Sequence, residues 1–120
     1  MLDTQEIDKA VGAHGMWKAR LKAGVATGKM DTPAATIRVD NECAFGKWLL
    51  GQTLTASDKG TADYKTVKDL HAQFHKVAGQ VAELATSGKK EAAETLLAGE
   101  FAATSMKLTS AMIAWKKTGK

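Results

Sequence analysis

Apolar residues recur at three- and four-residue spacing along most of this chain, which is the period of amphipathic helices. Ile7, Val11, His14, Trp17 or Lys18, Leu21 and Val25 form the first such stripe, predicting a helix over residues 4–27. Asp3 or Thr4 caps it, and Glu6 sits in its first turn, where the helix dipole favours a carboxylate. Gly28 and then Asp31-Thr32-Pro33 end the helix and mark a turn. A second helix is predicted over 34–50, with Val39, Cys43, Gly46 and Leu50 on one face and Phe45, Trp48 and Leu49 broadening the apolar arc. Gly46 in mid-helix costs about 1 kcal/mol relative to Ala and signals close approach of another group. Residues 51–60 are a polar connection with room for a short extra helix.

The third predicted helix runs over 62–86, its buried side traced by Tyr64, Val67, Leu70 or His71, Phe74, Val77 or Ala78, Val81 and Leu84. Ser87-Gly88 closes it. The fourth spans 89–117 and carries two apolar seams. Leu96, Ala103, Met106 and Ile113 form one; Leu97, Phe101, Leu108, Met112 and Trp115 form the other. A helix apolar on two sides packs against more than one neighbour, so a homodimer is expected. No strand alternation, repeat or low-complexity tract interrupts the series. The fold class read from the pattern is all-α, an antiparallel four-helix bundle in a single domain over 1–120.

Composition narrows this picture. With 120 residues the chain can bury a core without disulfide help, and its lone cysteine rules out an internal disulfide. The N-terminus, Met1-Leu2-Asp3-Thr4-Gln5-Glu6, is polar and acidic, unlike a secretory signal. No apolar run approaches the ~20 residues of a membrane span. The expectation is a cytoplasmic protein with no membrane partner. The net charge of +4 is spread along every segment among Asp and Glu, and only Arg20 and Arg38 supply guanidinium groups. A nucleic-acid footprint would be a concentrated basic stripe, so no nucleic-acid partner is expected.

Candidate chemistry gathers on the inward stripes. His71 and His75 stand four residues apart in the third helix, about 40° apart around its axis and about 6 Å along it. Such a pair can reach one point in space, the half-site of helical His-x-x-x-His metal sites. By itself such a pair is more often two core or boundary histidines than a metal site. His14 and Cys43, each on the inward stripe of a different helix, extend the argument, because four converging polar groups would each cost a few kcal/mol if left unpaired. A shared Zn²⁺ satisfies all four, since three imidazoles and one thiolate make a tetrahedral set suited to it. Copper would compete for the same donors. Cys43 alone also reads as a small buried hydrophobe; as a ligand it is the thiolate an oxidant would attack. Asp40, one turn before Cys43, is the candidate carboxylate to support a positively charged centre, with an exposed cap or ion pair as its other reading. Catalysis is not indicated. A Cys–His pair can be drawn, but no nucleophile elbow, Glu-x-x-His repeat or phosphate-binding glycine loop accompanies it.

Three blocks of sequence now stand out: His14-Gly15-Met16-Trp17-Lys18, Cys43-Ala44-Phe45-Gly46-Lys47-Trp48-Leu49 and His71-Ala72-Gln73-Phe74-His75. In order and spacing they resemble the signature of the chemoreceptor zinc-binding (CZB) domain, and the resemblance covers nearly the whole chain. It implies a helical-bundle Zn²⁺ sensor, usually dimeric, that regulates cytoplasmic chemoreceptors or diguanylate cyclases. It also implies zinc ligation by the matching positions His14, Cys43, His71 and His75. The family's cysteine is linked to sensing hypochlorous acid, through oxidation that loosens the zinc–thiolate bond. This sequence carries no methyl-accepting helix or cyclase domain, so the expected chemoreceptor or cyclase partner acts in trans. A zinc or copper buffer without signalling output is the alternative, and a metal-free interaction bundle the third reading.

Overall fold

A computed structural model describes residues 4–30, 33–38, 44–51 and 54–118. All regular structure among them is helical. In chain order the elements are α1 (Thr4–Thr27), α2 (Ala34–Arg38), α3 (Ala44–Leu50), α4 (Ala56–Lys59), α5 (Ala62–Thr86), α6 (Lys90–Leu96), a π-helical turn (Leu97–Phe101) and α7 (Ala102–Thr118). The helices expected over 4–27 and 62–86 are present with those boundaries, and the connection over 51–60 holds α4. A reciprocal cap starts α4: the Asp58 amide donates to Thr55 Oγ1 and the Thr55 amide donates to the Asp58 carboxylate.

Turn chemistry sets where the long rods stop. Gly28 adopts φ +74° and its amide reaches the Gly24 carbonyl at 2.7 Å, the left-handed stop that an L side chain resists. Gly88, at φ +78°, closes α5 in the same way, with the Lys89 amide bonded to the Leu84 carbonyl at 2.9 Å. A three-residue turn then sends the chain back as α6, the π turn and α7, which together fill the predicted fourth helix.

Directions follow from contacts at the ends. Gly28 lies against the Ala85 carbonyl, so the C-terminal ends of α1 and α5 meet. Lys116 pairs with Asp8 at 2.7 Å, joining the end of α7 to the start of α1. His75 Nδ1 meets the Ile37 carbonyl, and the Tyr64 hydroxyl donates to the Leu49 carbonyl at 2.9 Å. The chain from α2 to α3 therefore runs against α5. The result is an up-down-up-down bundle in which α1 and α5 are parallel and the other two rods oppose them.

The second rod, expected as a helix over 34–50, is helical over 34–38 and 44–50. Residues 39–43, with Cys43 and Asp40, lie outside the described residues. Within α3, Phe45 and Leu49 are buried and Leu50 is exposed. Inward contact thus centres on residues one turn apart from Phe45, and Leu50 is not part of the buried face as expected.

In the fourth rod one seam is core and the other runs from Leu96, half-buried against the core, to exposed positions. Leu97, Phe101, Leu108, Met112 and Trp115 are buried, whereas Met106 and Ile113 are 72% and 44% exposed. Burying a side chain such as Leu21, Phe74 or Phe101 contributes about 2–3 kcal/mol. Trp115 closes the core at one end, its ring 5.6 Å from Trp48 and 5.9 Å from Tyr64.

Candidate metal centre

α5 places His71 and His75 on its buried face, one turn apart, and α1 brings His14 to meet them. The ring centroids form a triangle with sides of 4.6, 5.0 and 5.6 Å. One ligand nitrogen from each histidine can be chosen so that all three lie within 4.8 Å of one another. A tetrahedral Zn²⁺ with bonds of about 2.0–2.1 Å would place its nitrogens about 3.4 Å apart. His71 Nε2 and His75 Nε2 are already 3.1 Å apart. All three rings are at most 4% exposed.

Two main-chain carbonyls set the chemistry of this cluster. His75 Nδ1 lies 2.9 Å from the Ile37 carbonyl, and His14 Nδ1 lies 2.7 Å from the Ala10 carbonyl. A carbonyl can only accept, so each Nδ1 carries the proton and each Nε2 presents a lone pair. Ile37 lies in α2, which packs against α5 so that this carbonyl faces His75. Such outer contacts fix ring orientation and tautomer in metal-binding histidines. His14 Nε2 is buried and takes no hydrogen bond among the described residues, an expensive state for a polar atom unless a ligand completes it. Between His71 and His75 the lone pair of His75 Nε2 can be met by an Nε2–H on His71, so one shared proton occupies a place where a cation could bridge the two rings.

Burial keeps the His14 and His71 imidazoles neutral. It pushes His71 from 6.5 down to about 2, with the neighbouring His75 and His14 adding to the shift. His14 falls to about 4, again through burial, partly offset by its bond to Ala10 and helped by His75. Neutral imidazole is the metal-binding form. The donor set, the lone-pair directions and the protonation state fit a borderline divalent ion.

Aromatic rings wall the cluster. Phe45 of α3 sits edge-on to both His14, at 5.8 Å, and His71, at 5.1 Å, and Phe74 packs on His14 at 4.9 Å. A cleft of about 130 Å³, lined by Glu6, Lys9, Ala13, Trp17 and Phe45, leads from the surface to His14.

Residues 14–82 match the family model of the chemoreceptor zinc-binding domain. This chain belongs to that family. The match begins at His14 and spans the positions of Cys43, His71 and His75. Comparison with curated proteins and with solved structures gave no match. For the CZB domain described here, the three expected histidines come together, while the expected ligand Cys43 and its companion Asp40 lie outside the described residues. Sequence reasoning missed the carbonyls of Ala10 and Ile37, because a main-chain acceptor carries no residue signature, and it read Phe45 only as packing. No helix among the described residues is long and apolar enough to cross a membrane.

Proposed function

We propose that this CZB domain holds one Zn²⁺ through His14, His71, His75 and Cys43 and works as a non-enzymatic sensor whose thiolate is the point of response. The observation that carries this reading is the pair of lone-pair-presenting Nε2 atoms, fixed by the Ala10 and Ile37 carbonyls, beside His71. Family membership supports zinc as the ion. Cys43 is two residues in sequence from Phe45, which packs on two of the histidines, and that supports its place as the fourth ligand. Bound zinc would supply charge to hold the thiolate and a cross-link between helices. The histidines orient themselves through the bundle; Cys43 supplies the reactive sulfur. Oxidation of that sulfur by hypochlorous acid would weaken its bond to the ion, and a chemoreceptor or diguanylate cyclase in trans, or a second copy packed on Met106 and Ile113 of α7, would read the resulting shift.

The test is zinc release under stoichiometric hypochlorous acid, followed with a chromophoric chelator. Release from the wild type, and none beyond the untreated level in zinc-loaded Cys43→Ala, is expected. Retention by the oxidised wild type overturns the redox reading.

A second reading, a zinc or copper buffer, draws on the cleft that opens on His14. Rapid equilibration of zinc with chelators in the absence of oxidant, and displacement of zinc by copper, would favour it.

A further inference from the structure

α1 and the fourth rod part to form a groove of about 460 Å³, within the size range of small-molecule sites. Its floor is apolar and small-featured. Val25 and Leu97 are buried at the base, and Ala26, Ala98 and Ala102 leave room above them. Its rim is cationic: Lys18 and Lys22, one turn apart on α1, face Lys90 across the gap, and Glu94 is the only acid among its lining residues. None of these four charged groups is in an ion pair among the described residues. The far wall is the π turn, a feature often found where helices carry function.

An apolar floor beneath unpaired ammonium groups suits one kind of occupant. We infer that this groove binds a small amphipathic carboxylate, an aliphatic or aromatic acid whose tail lies over Val25, Leu97 and Ala98 and whose carboxylate meets Lys18, Lys22 and Lys90. A cationic amphiphile would meet three like charges there, and a neutral one would leave the rim unused. A second copy of this chain would have to set an acidic surface against the lysines. The inference is independent of the metal reading, since no histidine lines the groove.

The experiment is a titration of decanoate into the full chain, followed by amide shifts in ¹H–¹⁵N NMR, with decylamine as the charge-reversed control. Saturable shifts confined to residues around Val25 and Leu97, and no such response to decylamine, are expected. Lys22→Ala and Lys90→Ala should each weaken decanoate binding about threefold. Ala98→Trp, at an exposed position, should plug the groove and abolish binding while the melting temperature stays at the wild-type value; Ala26→Trp serves if that variant does not fold. Equal responses to decanoate and decylamine, or decanoate shifts that survive the plug, overturn the inference. So does a wild-type dimer, seen by sedimentation, that Ala98→Trp converts to monomer, because the groove is then an interface between copies.

Discussion

α5 and the stretch from α2 to α3 both border the histidine cluster, and they hold it in opposite ways. α5 is a 25-residue rod whose buried residues run from Tyr64 to Ala85, so His71 and His75 are fixed by packing along their whole helix. The described parts of the second rod are α2 and α3, and they bring a carbonyl and an aromatic wall to the cluster where α5 brings imidazoles. Ile37, Phe45 and Leu49 are buried in the core, with the Ile37 carbonyl on His75, Phe45 on two histidines, Trp48 on Trp115, and the Leu49 carbonyl accepting from Tyr64. The contrast assigns roles. The long rods α1 and α5 carry the three histidines, and α2 and α3 supply the groups that orient and wall them. The proposed thiolate, Cys43, lies in sequence between α2 and α3.

The largest effect expected from this contrast is at His75. His75→Ala removes a nitrogen on the rigid rod and the partner of the Ile37 carbonyl together. Zinc affinity should fall about a thousandfold, about 4 kcal/mol, by competition titration. A loss under tenfold would break the view that α5 supplies the anchor.

Cys43→Ser should cost less, about a hundredfold in affinity, because three histidines still converge. The metal-free variant should melt within about 2 °C of the metal-free wild type. A drop of ten degrees would mean that the Cys43 side chain holds the metal-free fold together rather than serving the ion.

Acid sharpens the comparison on the rod side. His14 and His71 titrate lower in the folded chain than their ordinary 6.5, so the unfolded chain binds more protons as pH falls below 6.5. Stability of the metal-free protein is therefore full above about 6.5 and declines below it, until about 4 for His14 and about 2 for His71. From pH 7 to 5.5 the loss should be roughly 2 kcal/mol in total by urea unfolding. A flat profile would mean that the histidines are solvated and the cluster is open.

The smallest effect is at the far end of α3. Tyr64→Phe deletes the hydroxyl bond to the Leu49 carbonyl and should cost about 1 kcal/mol. Zinc affinity should change by less than threefold, since α3 keeps Phe45 on the cluster.

How much of this was legible in the sequence follows the same division. The long rods announced themselves, because sustained three-four spacing and the Gly28 and Gly88 stops act over many residues. The three histidines were legible for the same reason, each lying on an inward stripe. The helix expected over 34–50 is met by α2 and α3, and residues 39–43 between them lie outside the described residues. The π turn was hidden, since the apolar pattern through Leu97 and Phe101 suits a plain helix equally well. Leu50 was misplaced because its face depends on how α3 is seated, which Phe45 and Leu49 decide through tertiary contact. The exposed seam of α7 was read correctly as a second apolar side, and its partner remains a matter of proposal.

The central claim is that His14, His71 and His75 offer their Nε2 atoms to one metal ion. Histidine ¹⁵N NMR during a zinc titration tests it most directly. Before zinc, His14 and His75 should appear as neutral rings protonated at Nδ1. One equivalent of zinc should shift the Nε2 resonances of all three histidines together, and further zinc should do nothing. Resonances unmoved by zinc, or coordination through the Nδ1 atoms that face the Ala10 and Ile37 carbonyls, would contradict it.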